Sequence, residues 1–133
     1  MDEEILVQIN SDQDIVVARQ QGRGLAIRLG FSAGDATLIA TAISELARNI
    51  VTYAKAGEVQ ICEINGSPRQ GIQVVARDRG PGIADIKQAM RDGFSTSGSL
   101  GLGLPGVMRL VDEFEIVSEL GSGTTVKLKK WKQ

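Results

Sequence analysis

A chain of 133 residues suits one compact domain, spanning 1–133, with a single core. Hydrophobic residues make up 42%, charged residues 23%, and the formal net charge is -1, which excludes a disordered or fibrous chain and offers no footprint for nucleic acid. The lack of histidine and the single cysteine, Cys62, exclude most zinc sites and catalytic triads.

The acidic start MDEEILVQIN and short apolar runs predict neither a signal segment nor a membrane span, hence a cytoplasmic protein. EEILVQIN is read as an opening strand, and Ser11 with Asp14 has the spacing of a capping box. Ile15, Ala18, Gly22, Leu25, Ala26 and Leu29 recur at helical spacing up to Gly30, predicting an amphipathic helix with a glycine at its C-terminal end. Ser32 and Asp35 repeat the start signal. Ala36, Ile39, Ile43, Leu46 and Ile50 then form the inner face of a second helix, ending near Gly57. Two strands follow, EVQICEI and GIQVVARD, joined by a turn through NGSPRQG, and Cys62 is expected to be buried in the first. A short helix is expected over about 84–91, an irregular Gly/Ser stretch after it, and a helix over about 104–112. FEIVSEL, a GSG turn and TTVKLKKWK predict a closing hairpin, whose alternating lysines are read as protection of an edge strand. Helices and strands in separate blocks predict an α+β two-layer sandwich with a mostly antiparallel sheet.

Three features point to chemistry. Ile72, Val74, Ala76 and Asp78 share a strand face, and three apolar members mark it as the covered one, so the carboxylate points inward. It would serve either a ligand amino group or its own turn at Gly80. Thr124, with the parity of Val126 and Leu128, is placed to join it. Glu45 and Asn49, four positions apart, lie about 40° apart on the helix wheel and roughly 6 Å along the axis, beside the apolar stripe. They offer oxygens to a hard cation or a carboxylate to a hydroxyl, unless they form a solvated flank, and the neighbouring Arg48 is equally open to either reading. Residues 80–106 hold seven of the sixteen glycines. In GLGLPG these precede a helix start, where converging backbone N–H groups and the helix dipole favour an anion.

ELARN, DRGPGI, GLGLPG and GTT, in this order, resemble the N, G1 and G2 boxes and terminal threonine of the GHKL, or Bergerat-fold, ATP-binding superfamily. The resemblance covers nearly the whole chain. It implies a mixed sheet with helices on one face and ATP held between the layers. By that resemblance Asp78 takes the adenine amino group, Gly80 and Gly82 belong to the loop that lets the base approach, and Thr124 completes the adenine pocket. Asn49 is the magnesium ligand and Glu45 the catalytic base. Gly101, Leu102, Gly103 and Leu104 hold the phosphates beneath a lid of about 84–103, with Lys55 a looser candidate. The missing phosphoacceptor histidine and the short chain favour the stand-alone bacterial serine/threonine kinases of partner switching over histidine kinases and over gyrase-, MutL- or Hsp90-like machines. Sigma-binding members carry E-A-x-x-N-A, whereas this chain reads SELARNI. The implied partners are STAS-domain antagonist and scaffold proteins and a PP2C-type phosphatase, with no nucleic acid and no membrane. An anti-sigma factor using nucleotide as a switch, and an ATP-binding protein without transfer activity, stand as alternatives.

Overall fold

A computed structural model describes residues 4–66, 69–80, 103–119 and 121–132. The elements in chain order are β1 (Glu4–Ile9), α1 (Asp12–Arg28), α2 (Ala33–Asn49), a π-helical turn (Ile50–Ala54), β2 (Gly57–Asn65), β3 (Gln70–Asp78), α3 (Gly103–Leu110), β4 (Glu113–Glu119) and β5 (Gly123–Trp131). The expected helix at 84–91 lies outside the described residues.

The starts and stops follow the local chemistry. Asp14 accepts from the backbone N–H of Asn10 and Ser11, forming the reciprocal capping box at the head of α1. Gly30 at φ +92 ends that helix in the left-handed region. Ser32 Oγ accepts from Asp35 N–H at 3.1 Å and caps α2. The second α-helix stops at Asn49, earlier than the apolar stripe predicts. Five residues of wider π turn follow, and Lys55 leaves it at φ +70 with its N–H on the Ile50 carbonyl at 2.8 Å.

The five strands are ordered β1-β2-β3-β5-β4. All four pairings are antiparallel, so the described sheet is antiparallel throughout rather than mixed. Alternation sends Val7, Ile9, Val59, Ile61, Ile72, Val74, Ala76, Val126 and Leu128 to one face, where they share a core with Ile39, Ile43, Leu46 and Ile50 of the second helix. Each of the Val, Leu and Ile side chains contributes about 1.5–3 kcal/mol on full burial. Gly22 lets the two long helices meet closely, since a Cβ there would lie 2.2 Å from Ile43 Cδ1.

Two expectations fail on the other face. β5 is an interior strand, not an edge, because β4 turns back outside it. Lys127 and Lys129 therefore oppose Glu115 and Glu113 across the ladder, and Lys130, on the core side, is buried. Cys62 is only half-buried, because it pairs with Gln73 on the face away from the helices. Among the described residues no helix is long and apolar enough to cross a membrane.

Candidate functional site

At one end of the sheet a single row of paired positions reads Gly57, Asp78, Thr124 and Ser118, from β2, β3, β5 and β4 in turn. The parity of Ala76 and Val126 puts this row on the helix side, as the alternation in the sequence predicts. Asp78 is half-buried, and its Oδ1 accepts from Gly80 N–H at 2.9 Å and from Thr124 N–H at 3.3 Å. The carboxylate thus does cap its own turn. Both bonds use the same oxygen, and Oδ2 takes part in neither. Thr124 Oγ1 lies 2.8 Å from Ser118 Oγ, a partner on β4 that the sequence did not point out.

Glycines let the backbones at this end close up. Gly123 sits at φ +110, and a Cβ there would lie 2.1 Å from the Asp78 carbonyl oxygen. At Gly80 a Cβ would lie 2.6 Å from that of Ala54, so the loop leaving β3 rests on the π-helical turn. That turn begins directly after Asn49, which ties the end of the second helix to the Asp78 row.

On the second helix Glu45 is 7% exposed, so the solvated-flank reading fails for it. Its Oε1 accepts from Arg48 Nη1 at 2.6 Å, and its Oε2 accepts from the Gly103 backbone N–H at 3.3 Å. Gly103 opens α3 at φ +69, and the neighbouring Leu104 packs into the core at 7% exposure. Asn49, one turn beyond Glu45, is half-buried and makes no capping bond to the turn after it. Its carboxamide oxygen is of the type a hard cation accepts. Lys55 is exposed at the far end of the π turn.

The structure therefore brings Asp78, Gly80 and Thr124 together, and separately joins Glu45 to Gly103 and Leu104, with the helix end at Asn49 leading from one group to the other. Gly82, Gly101, Leu102 and most of the expected lid lie outside the described residues. Arg48, Gly57, Ser118 and Gly123 are additional members. An E-x-x-R spacing foreshadows the first; the close approaches at the two glycines depend on strands distant in sequence.

Residues 34–133 match the family model described as histidine kinase-, DNA gyrase B- and HSP90-like ATPase. The chain belongs to this ATPase family. The serine/threonine-protein kinase RsbT of Bacillus subtilis is 50% identical over 131 residues, covering 98% of each chain. An anti-sigma F factor of Halalkalibacterium halodurans is 34% identical over 101 residues, 72% of this chain and 69% of that protein. Among solved structures, the RsbU and RsbW domains of Rv1364c from Mycobacterium tuberculosis align with all of this chain and 32% of theirs, at a TM-score of 0.64 and 22% identity. The mycobacterial sensor histidine kinase MprB aligns at 0.58 and 14%, over all of this chain and 99% of its own. These two likenesses concern the fold, and agree with helices laid on one face of an antiparallel sheet. Membership makes ATP the ligand to fit to the site: a carboxylate acceptor at Asp78, a carboxamide oxygen at Asn49 and backbone N–H groups at the head of α3 are the kinds of group that adenine, magnesium and phosphate require.

Proposed function

We propose that this chain is an ATP-dependent protein serine/threonine kinase acting on STAS-domain proteins, antagonist and scaffold, of the RsbS and RsbR kind. The observation that carries the reading is Glu45: a carboxylate withdrawn from water, yet bonded to the backbone N–H at the head of α3. This supports a carboxylate that takes the proton of an incoming hydroxyl, a group that plain nucleotide binding does not require.

In this mechanism Asp78 accepts from the adenine amino group, Thr124 borders the base, and Gly80 with Gly82 keeps the loop close. Gly101, Leu102, Gly103 and Leu104 supply amides to the phosphates. Bound magnesium supplies charge neutralisation at the transferring phosphoryl group. Asn49 would hold it through its carboxamide oxygen; among the described residues no cluster of three or more Cys, Asp or Glu side chains could hold a metal. The substrate hydroxyl oxygen forms a bond to the γ-phosphorus, its proton passes to Glu45, and ADP leaves with the electrons of the broken P–O bond. Most of the rate comes from positioning and charge.

Kinase released from its antagonist is expected to engage a PP2C-type phosphatase, which makes the protein a relay in the cytoplasm. The anti-sigma reading has support in the 34%-identical relative, and the 50%-identical kinase outweighs it. The test is transfer of labelled γ-phosphate from Mg-ATP to a purified STAS-domain protein by wild type and Glu45→Gln. Wild type should transfer, and the variant should be slower by roughly 100-fold or more while still binding ATP. A wild type that binds ATP, transfers nothing and holds a sigma factor in a stable complex would establish the rival reading.

A further inference from the structure

The two oxygens of Glu45 are held unequally. Oε1 has a short charge-assisted bond to Arg48, at 2.6 Å, and Oε2 a long bond to a neutral amide, at 3.3 Å. Arg48 lies three residues further along the same helix, so the backbone of α2 fixes the spacing of the pair. Gly103 belongs to a different helix, 58 residues away in sequence.

Ion pairs three residues apart are common on helix surfaces and mostly do little. Here the partners differ in exposure: the Glu45 side chain is 9% exposed and that of Arg48 39%. A carboxylate out of water needs a hydrogen-bonding partner, and the guanidinium supplies one from the rim without being buried itself. On the kinase reading, on which this inference rests, the phosphates of ATP claim the amides at the head of α3. Gly103 then leaves Oε2, and of the two partners Arg48 alone keeps its hold. A glutamate without it would turn about its side-chain bonds just as the hydroxyl arrives.

We propose that Arg48 is a positioning residue: it pins Oε1 of Glu45, so that Oε2, once released by Gly103, faces the incoming hydroxyl. Arg48 acts through Glu45 and does not bind the nucleotide. The misplacement expected on its removal is of the size that costs about 100-fold in rate.

The test uses the full chain with Arg48→Met, which keeps the aliphatic stem, and Arg48→Lys, which keeps a cation. Phosphoryl transfer to a purified STAS-domain protein gives kcat and KM, and calorimetry gives the affinity for Mg-ATP. The methionine variant should lose about 100-fold in kcat with ATP affinity close to wild type, and lysine should recover part of the loss. That split distinguishes positioning from folding, since a misfolded protein would not bind ATP. Unchanged kcat in Arg48→Met would reduce the pair to a surface contact and overturn the proposal. A parallel loss of ATP affinity in both variants would place Arg48 on the nucleotide and overturn it too. Failure of the underlying kinase reading shows differently, in a wild type that binds ATP without transferring phosphate, and it removes the proposal along with it.

Discussion

Replacing Asp78 by asparagine and by alanine separates its two jobs. Asparagine retains an oxygen where Oδ1 accepts from Gly80 and Thr124, so the turn and the start of β5 keep their bonds. It turns the other oxygen into an NH2 donor, which would face the donor amino group of adenine. Losing a hydrogen bond to a charged acceptor costs about 1.5–3 kcal/mol, or roughly 10- to 150-fold in Kd. The asparagine variant should therefore melt close to wild type and bind ATP weakly. Alanine removes both bonds to backbone N–H groups in a half-buried place, about 2–4 kcal/mol after allowing for partial access of water. A chain of 133 residues loses about 3–4 °C of Tm per kcal/mol, which puts the alanine variant roughly 6–16 °C below wild type. Scanning calorimetry and ATP titration of the three proteins measure both quantities. Wild-type ATP affinity in Asp78→Asn would refute the adenine assignment. Equal destabilisation by both substitutions would refute the account of the turn.

Two further changes test how the site is built. Gly123→Ala places a Cβ against the Asp78 carbonyl at a φ of +110; strain alone costs about 1–3 kcal/mol, so urea unfolding should show at least that loss, and a change well below it would mean that this end of β5 is free to shift. Leu46→Ala empties a position 2% exposed on the core side of the helix that carries Glu45; a loss of about 2–5 kcal/mol is expected, and near-neutral stability would show that α2 is not packed as described.

What could be read in the sequence was local or periodic. Alternation along β3 and β5 placed Asp78 and Thr124 on the core side, and both lie in one row. The capping pairs Ser11 with Asp14 and Ser32 with Asp35 start their helices as expected. The apolar stripe through Ile50 did not show that α-helical geometry ends at Asn49, because a π turn still buries Ile50 and leaves the hydrophobic pattern intact. The interior position of β5 was hidden for a related reason: two adjacent strands look the same whichever of them joins β3. Arg48 was visible as a neighbour of Glu45, but only burial distinguishes a held carboxylate from a solvated one. Gly57 and Gly123 owe their importance to backbones that approach from elsewhere, at Arg77 and Asp78, and no spacing rule reports such contacts.

The row from Gly57 to Ser118 lies at one end of the sheet, whereas the connection from Asn65 to Gln70 closes the β2–β3 hairpin at the other. Extra length in that connection costs only about 0.6 kcal/mol for each doubling, and it leaves the register that aligns Asp78 with Thr124 untouched. A fluorophore tag or an affinity epitope inserted between Gly66 and Arg69 is thus expected to leave the row from Gly57 to Ser118 unaltered.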